Sequence, residues 1–357
     1  MELHIITGRA GAGKSRKVLE TVAAQRFQRP QVLLVPEHAT HEAELDLCRA
    51  LGDTASRDAE VLSFQSLATR VLSQTGGIAD ITLDNGGKIL TMRRALQDVS
   101  SFLTVFARPS QRPAFLRELV ALADELYAYR IPPALLLQQV RDIPGAAGDK
   151  LRSTALLFSA YDARLHSGDF DARSKVQKLC DSLPDSGYLA GKDLYIDGFS
   201  YFNRTEEDIL AAALKQAHSV TVTLLGDDSD PQLFSNGVRQ CHRLRKLAKE
   251  CGCKCEVNNL VRDCSTAFSH LEKYFLGADE TWQGDAPPIA LYQANTAYSE
   301  VEYVSAQLRK LAQNGVRWRD MAVATRSMEV YGPLLEAVFR RDEIPAYISR
   351  RSDILEQ

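Results

Sequence analysis

The chain begins with a short apolar run, Leu3-His-Ile-Ile-Thr7, that breaks directly into GRAGAGKS, Gly8 to Ser15. The octet fits G-x-x-x-x-G-K-[ST] without a mismatch, and a helix-compatible segment, RKVLETVAAQRF, follows it. Strand, glycine-rich turn and helix form the context that separates a phosphate loop from a chance match or from a turn that binds nothing. The glycines let the backbone come close to an anion. The N–H groups of Gly8, Arg9, Ala10, Gly11, Ala12 and Gly13, with the helix N-terminus, would cradle phosphates. Lys14 would reach the β- and γ-phosphates, and the Ser15 hydroxyl would ligate Mg²⁺. Such a loop fixes the start of the fold as a parallel α/β sheet and the cofactors as ATP and Mg²⁺.

The order of signals downstream extends that sheet. Val32-Leu-Leu-Val35 and Glu60-Val-Leu62 read as short buried strands, each followed by a helical pattern, EHATHEAELDLCRALG and SFQSLATRVLSQTGG. From about Thr82 to Leu183 only helical spacing is present, which predicts a helical insertion. Strands return at Leu194-Tyr-Ile196 and Val220–Leu225, with Thr205 expected to cap the intervening helix. Beyond Pro287-Pro288, the segments IALYQA, MAVAT (Met321–Thr325) and Ala346-Tyr-Ile348 alternate with helical patterns and predict the opening of a second α/β domain. The expected division is a phosphate-loop domain over residues 1–80 and 185–285, a helical insertion over 81–184, and a second domain from 286 to 357. Two or three strands make a poor sheet, so the chain is expected to be a piece of a longer protein.

Asp197 ends one of the predicted strands and is placed to hold Mg²⁺ through water, although a capping or turn role is equally open. The next residue is Gly198, where motor ATPases place the glutamate that orients the attacking water. Nucleotide binding with weak or absent hydrolysis is therefore expected.

The net charge of −3 over 357 residues gives no global basic field, so any nucleic-acid contact rests on local patches or on a partner. One such patch, Arg239, His242, Arg243, Arg245, Lys246 and Lys249, reads first as a solvated helix face and second as a DNA or partner contact. No apolar run reaches membrane-spanning length. Seven scattered cysteines with no signal-peptide pattern suggest reduced thiols and a cytoplasmic location. Cys251, Cys253 and Cys255, with Cys264 beyond, lack the C-x₂-C spacing of a zinc site and read as small hydrophobes at a strand start.

Taken together, the phosphate loop, VPEHATHEAE, SFQSLATRVL, LYIDGFSYFNRTEEDIL and MAVATRSMEVYGPLLEAVFRRDEIPAYISRR resemble the AddB family (RexB in some lineages). AddB is one of the two subunits of the bacterial ATP-dependent helicase–nuclease AddAB. The resemblance covers essentially the whole chain. It implies a phosphate-loop, superfamily 1 helicase-like fold and a role in processing double-strand DNA ends for recombinational repair. The implied partners are an AddA motor and DNA, as duplex ends and as a single strand scanned for a regulatory sequence. The family's iron–sulfur cluster belongs to a C-terminal nuclease domain beyond Gln357, so neither is expected here. By the same resemblance, Arg326 matches the arginine that reaches the γ-phosphate in active helicases. Thr325 stands where those helicases often carry an adenine-stacking aromatic. VPEHATHE matches an element bordering the DNA strand, which makes His38 and Thr40 candidate contacts, together with Phe64 for stacking and Arg70 for a phosphate. Two other readings of the same motifs are an autonomous ATP-driven helicase, which Gly198 opposes, and a small-molecule kinase. The latter leaves the helical insertion and Arg326 without a role.

Overall fold

The computed structural model describes residues 1–52, 55–76, 83–103, 105–106, 112–140, 143–166, 174–261, 267–275, 280–285 and 289–348. The chain divides into two compact units, Met1–Ser269 and His270–Gln357.

In the first unit, six strands, β1 (Glu2–Gly8), β2 (Gln31–Leu34), β3 (Ala59–Leu62), β4 (Asp193–Ile196), β5 (Ser219–Leu225) and β6 (Lys254–Leu260), form one sheet in the order β3-β2-β4-β5-β1-β6. Every pair is parallel. A parallel pair needs a crossover, and helices supply it on both faces. These are α1 (Lys14–Ala24), α2 (Thr40–Leu51), α3 (Ala55–Asp58), α4 (Phe64–Thr75), five helices of the long connection described next, α10 (Arg204–Gln216) after β4 and α11 (Ser235–Glu250) after β5.

The register explains the core. Val32, Leu194, Val220 and Leu3 face one another across four strands, and Leu34, Ile196, Val222 and Ile5 form the next row. Both rows lie on one face, in a cluster with Leu67 and Val71 of α4, Ile209 and Leu210 of α10 and Leu244 of α11. Side chains alternate across a strand, so Leu33, Tyr195 and Ile6 point the other way, onto Val18 and Val22 of α1 and Leu47 of α2.

The connection between β3 and β4 holds α5 (Asn85–Val99), α6 (Pro113–Ala128), α7 (Pro133–Val140), α8 (Gly145–His166) and α9 (Lys175–Ser186). Met92, Leu96, Leu116, Leu119, Leu157, Phe158 and Tyr161 give α5, α6 and α8 a core of their own. The last helix behaves differently: Leu179 and Leu183 of α9 are fully buried in the sheet's core, against α4 and α10. Helical spacing alone groups α9 with its predecessors, because periodicity shows that a face is apolar and not what it covers.

The cap of α10 differs from expectation. Asn203, not Thr205, is the N-cap: its side chain accepts from the Glu206 N–H, and the Glu206 carboxylate accepts from the Asn203 N–H. Thr205 lies within the first turn, buried, and its hydroxyl donates to the Ala128 carbonyl at 2.9 Å. It thus pins the helical connection to the sheet.

The second unit begins within α12 (Ala267–Tyr274) and holds α13 (Ala297–Gln313) and α14 (Met328–Arg341). The latter two pack through Val301, Leu335, Val338 and Phe339, with Tyr331 donating to Glu300 at 2.7 Å. The strands expected at 289–294, 321–325 and 346–348 do not form: among the described residues of this unit there is no ladder. A strand is stabilised by cross-strand neighbours and a covered face. Here Leu291 is completely exposed and Tyr347 is 93% exposed, so neither condition is met.

Four buried or half-buried tyrosines set a pH limit on the first unit. Burial, followed by the neighbouring Glu60, pushes the Tyr188 hydroxyl up to about 12. Burial likewise raises Tyr127, Tyr161 and Tyr195. In the unfolded chain all four ionise near pH ~10, so above that pH the unfolded state loses protons first. Stability is then undiminished below about pH 10 and falls as pH rises toward the native values. Urea midpoints should drop between about pH 9 and pH 11.5; equal midpoints would contradict this burial.

Candidate nucleotide site

All six strands are parallel, so their C-terminal ends share one edge of the sheet, the usual place for a ligand in an open α/β fold. β1 delivers Gly8 to that edge. A Cβ on Gly8 would lie 2.8 Å from the Leu260 carbonyl oxygen of the neighbouring strand, so no larger residue fits. The loop then turns through Gly11 and Gly13, with φ of 72° and 86°, in the left-handed region that favours glycine. α1 starts at once, at Lys14, with no side chain capping its N-terminus and no acid in its first turn. Its first-turn N–H groups and positive dipole end therefore face the loop. Ser15 is exposed in that first turn.

Two side chains fold back on the loop. The Lys14 ammonium donates to the carbonyls of Gly8 and Arg9, both at 2.8 Å. The Arg9 guanidinium pairs with Asp227, just beyond β5, at 2.5 Å. Burial pushes the Asp227 carboxyl up, but hydrogen bonds from Ser229 and Arg9 outweigh it and hold the group below the usual carboxylate range. Arg9 thus contributes its peptide to the loop while its side chain serves as an anchor. Nothing local in the sequence marks this pair, whose members are 218 residues apart.

Asp197 follows β4, its N–H bonded to the Leu34 carbonyl at 3.0 Å and its carboxylate accepting from the Thr223 hydroxyl. β5 lies between β1 and β4, so Asp197, level with Ile6 in the register, stands two strand spacings, about 10 Å, from β1. Gly198 has a φ of 83°, and a Cβ there would meet Pro36 Cδ at 3.3 Å. The position is set by backbone conformation and by Pro36. The nearby acids are otherwise engaged: Glu206 caps α10, and Glu207 pairs with Arg243 at 3.3 Å.

The expected DNA-contact residues separate. His38 is exposed in the short 3₁₀ turn Glu37–Ala39 after β2, and Thr40 donates to the Glu37 carbonyl at 2.9 Å. Arg70 pairs with Glu60 at 2.7 Å beside an open cleft of about 1320 Å³. That cleft carries Glu37, Glu44, Asp58 and Glu60 as well as Arg57, Arg70 and Lys192, so it is not a basic groove. Phe64 is 6% exposed, and its ring meets the Phe199 ring in an edge contact at 5.3 Å. It begins α4 directly after the Ser63 cap, and its side chain turns inward with Leu67 and Val71. Arg326 lies in the second unit, exposed, two residues before α14.

Cys241, Cys251, Cys253 and Cys255 pack half-buried against the sheet core, and Cys253 Sγ donates to the Leu214 carbonyl. Burial pushes the thiols of Cys241, Cys251 and Cys255 up. Cys264 lies outside the described residues.

The family model described as "ADDB, N-terminal" matches residues 5–272. The chain belongs to the AddB family. Aligned over 99% of its length, it is 32% identical to the AddB polypeptide of the ATP-dependent helicase/deoxyribonuclease of Moorella thermoacetica, 30% identical to that of Acetivibrio thermocellus and 32% identical to that of Desulforamulus reducens. It covers 33% of each of these AddB relatives, about a third of their length. Among the described residues, no helix is long and apolar enough to cross a membrane.

Proposed function

We propose that this AddB-family chain is the helicase-like, phosphate-loop part of a cytoplasmic DNA-end-processing enzyme, and that it binds ATP at Gly8–Ser15 with little or no hydrolysis. The observation that carries the reading is the loop itself. Gly8 is crowded by Leu260, Gly11 and Gly13 are left-handed, and an uncapped helix begins at Lys14. Backbone N–H groups gathered this way stabilise an anion. On leaving the Gly8 and Arg9 carbonyls, Lys14 would neutralise β- and γ-phosphate charge. When bound, Mg²⁺ would be held by Ser15 and, through water, by Asp197, and would offset phosphate charge. Recombinational repair, contact with single-stranded DNA through the segment around His38 and Thr40, and pairing with an AddA-type motor rest on the family resemblance and on the relatives' description as part of a helicase/deoxyribonuclease.

Weak hydrolysis rests on Gly198. A glutamate there, the residue that would orient water, must adopt a left-handed backbone, which costs roughly 1–2 kcal/mol, and must displace Pro36. Gly198→Glu is therefore expected to lower stability by about that amount without creating an ATPase, as urea unfolding and phosphate release would show. The reading itself is tested by steady-state ATP turnover of the full chain with single-stranded DNA. Turnover near zero is expected, with ATP bound. Motor-like turnover that disappears in Lys14→Ala would overturn it.

A further inference from the structure

The sequence motif assigns Arg9 no chemistry, since its position in the loop accepts any residue. The structure nevertheless encloses its side chain. The Arg9 side chain is 14% exposed and that of Asp227 is 18% exposed. Arg9 Nε donates to Asp227 Oδ2, and the guanidinium carbon lies 5.2 Å from the centre of the Phe234 ring, close enough for a cation–π contact. Asp227 is itself fixed, its other oxygen accepting from the Ser229 N–H at 2.8 Å and the Ser229 hydroxyl at 2.7 Å. A second tie runs beside the first: the Gly226 N–H donates to the Gly8 carbonyl at 3.2 Å. The two carbonyls that receive the Lys14 ammonium, those of Gly8 and Arg9, are thus the carbonyls of the residues that the β5–α11 connection holds.

We propose that Arg9 is a positioning residue for nucleoside triphosphate binding. Clamped by Asp227 and Phe234, it fixes the first peptides of the phosphate loop and, through their carbonyls, the place from which Lys14 engages the β- and γ-phosphates. The inference rests on the nucleotide reading given above. The Arg9 side chain does not touch the nucleotide; its effect passes through Lys14. A rigid, partly desolvated ion pair suits this task, because a planar guanidinium bonded to a fixed carboxylate has little freedom.

The test is the dissociation constant of a fluorescent, non-hydrolysable ATP analogue for the full chain, measured beside the unfolding midpoint without nucleotide. Arg9→Ala and Asp227→Ala should each weaken binding by about tenfold, a loss equivalent to ~1.4 kcal/mol. The double variant should be no worse than either single change, because the two residues act as one unit. In a Lys14→Ala background, Arg9→Ala should change nothing further. Arg9→Lys keeps the charge opposite Asp227 and should restore most of the affinity. If an alanine variant does not fold, Asp227→Asn, which is isosteric and keeps the acceptor for Ser229, carries the test and should weaken binding in the same direction. Three results would overturn the proposal: unchanged affinity in Arg9→Ala, an equal loss in the Lys14→Ala background, or tighter binding in Asp227→Asn. A wild-type chain that binds no analogue would instead defeat the nucleotide reading.

Discussion

Replacing Lys14 by alanine is expected to weaken ATP binding to the full chain by between tenfold and somewhat over a hundredfold, while the nucleotide-free protein unfolds close to the wild-type midpoint. Hydrogen bonds to charged groups contribute roughly 1.5–3 kcal/mol each, and ~1.4 kcal/mol is a factor of ten in affinity. The free protein loses less. Lys14 is half-buried, its bonds to the Gly8 and Arg9 carbonyls sit at the rim of the sheet, and water can replace them there. The two readouts therefore separate a binding role from a folding role. Displacement of a fluorescent analogue measures the first and urea unfolding the second. Unchanged affinity, or loss of affinity only in step with unfolding, would contradict the assignment of Lys14.

The second large effect is structural. Gly237, in the first turn of α11, is buried with its Cα against β5: a Cβ would lie 1.7 Å from the Leu225 carbonyl oxygen and 2.8 Å from the Leu225 carbonyl carbon. Both are backbone atoms of the last residue of β5, paired with Gly8 of β1, so they cannot give way as a flexible side chain would. Gly237→Ala must lift the start of α11 from the sheet, at a cost of about 3 kcal/mol, the upper part of the range for overpacked sites. Asp227 and Phe234 lie just before this helix and clamp Arg9. Nucleotide affinity should therefore fall together with stability, in contrast to Lys14→Ala. A Gly237→Ala protein with the wild-type urea midpoint would show that α11 does not pack on β5 in this way.

The contrast between these two residues indicates what the sequence makes legible. Lys14 sits in a local pattern, a strand, a glycine turn and a helix, that residues close in sequence are enough to reveal. The order of strands and helices around it is readable for the same reason: short apolar runs bounded by Pro36, Gly52 and the glycines after Thr75 leave few alternatives. What escapes depends on distant partners. Phe64 offers an aromatic ring for stacking in the sequence, and only Phe199 and α4 place it in the core. Thr205 reads as the cap, but Asn203 and Glu206 take that role and the Thr205 hydroxyl goes to the Ala128 carbonyl. The apolar runs of the second unit have strand composition but no neighbouring strand among its described residues, and composition cannot supply one. The Arg9–Asp227 pair has no sequence signal at all. Gly198 falls between these cases: Asp-Gly is a turn signal, so its positive φ is readable, whereas its contact with Pro36 is not.

The most direct measurement is a crystal structure of the full chain grown with Mg²⁺ and an excess of a non-hydrolysable ATP analogue. A triphosphate wrapped by residues Gly8 to Ser15, with the Lys14 ammonium moved from the loop carbonyls onto phosphate oxygens, is the predicted result. A loop that stays closed on Lys14 with no nucleotide in it, or a nucleotide bound elsewhere on the chain, would contradict the account.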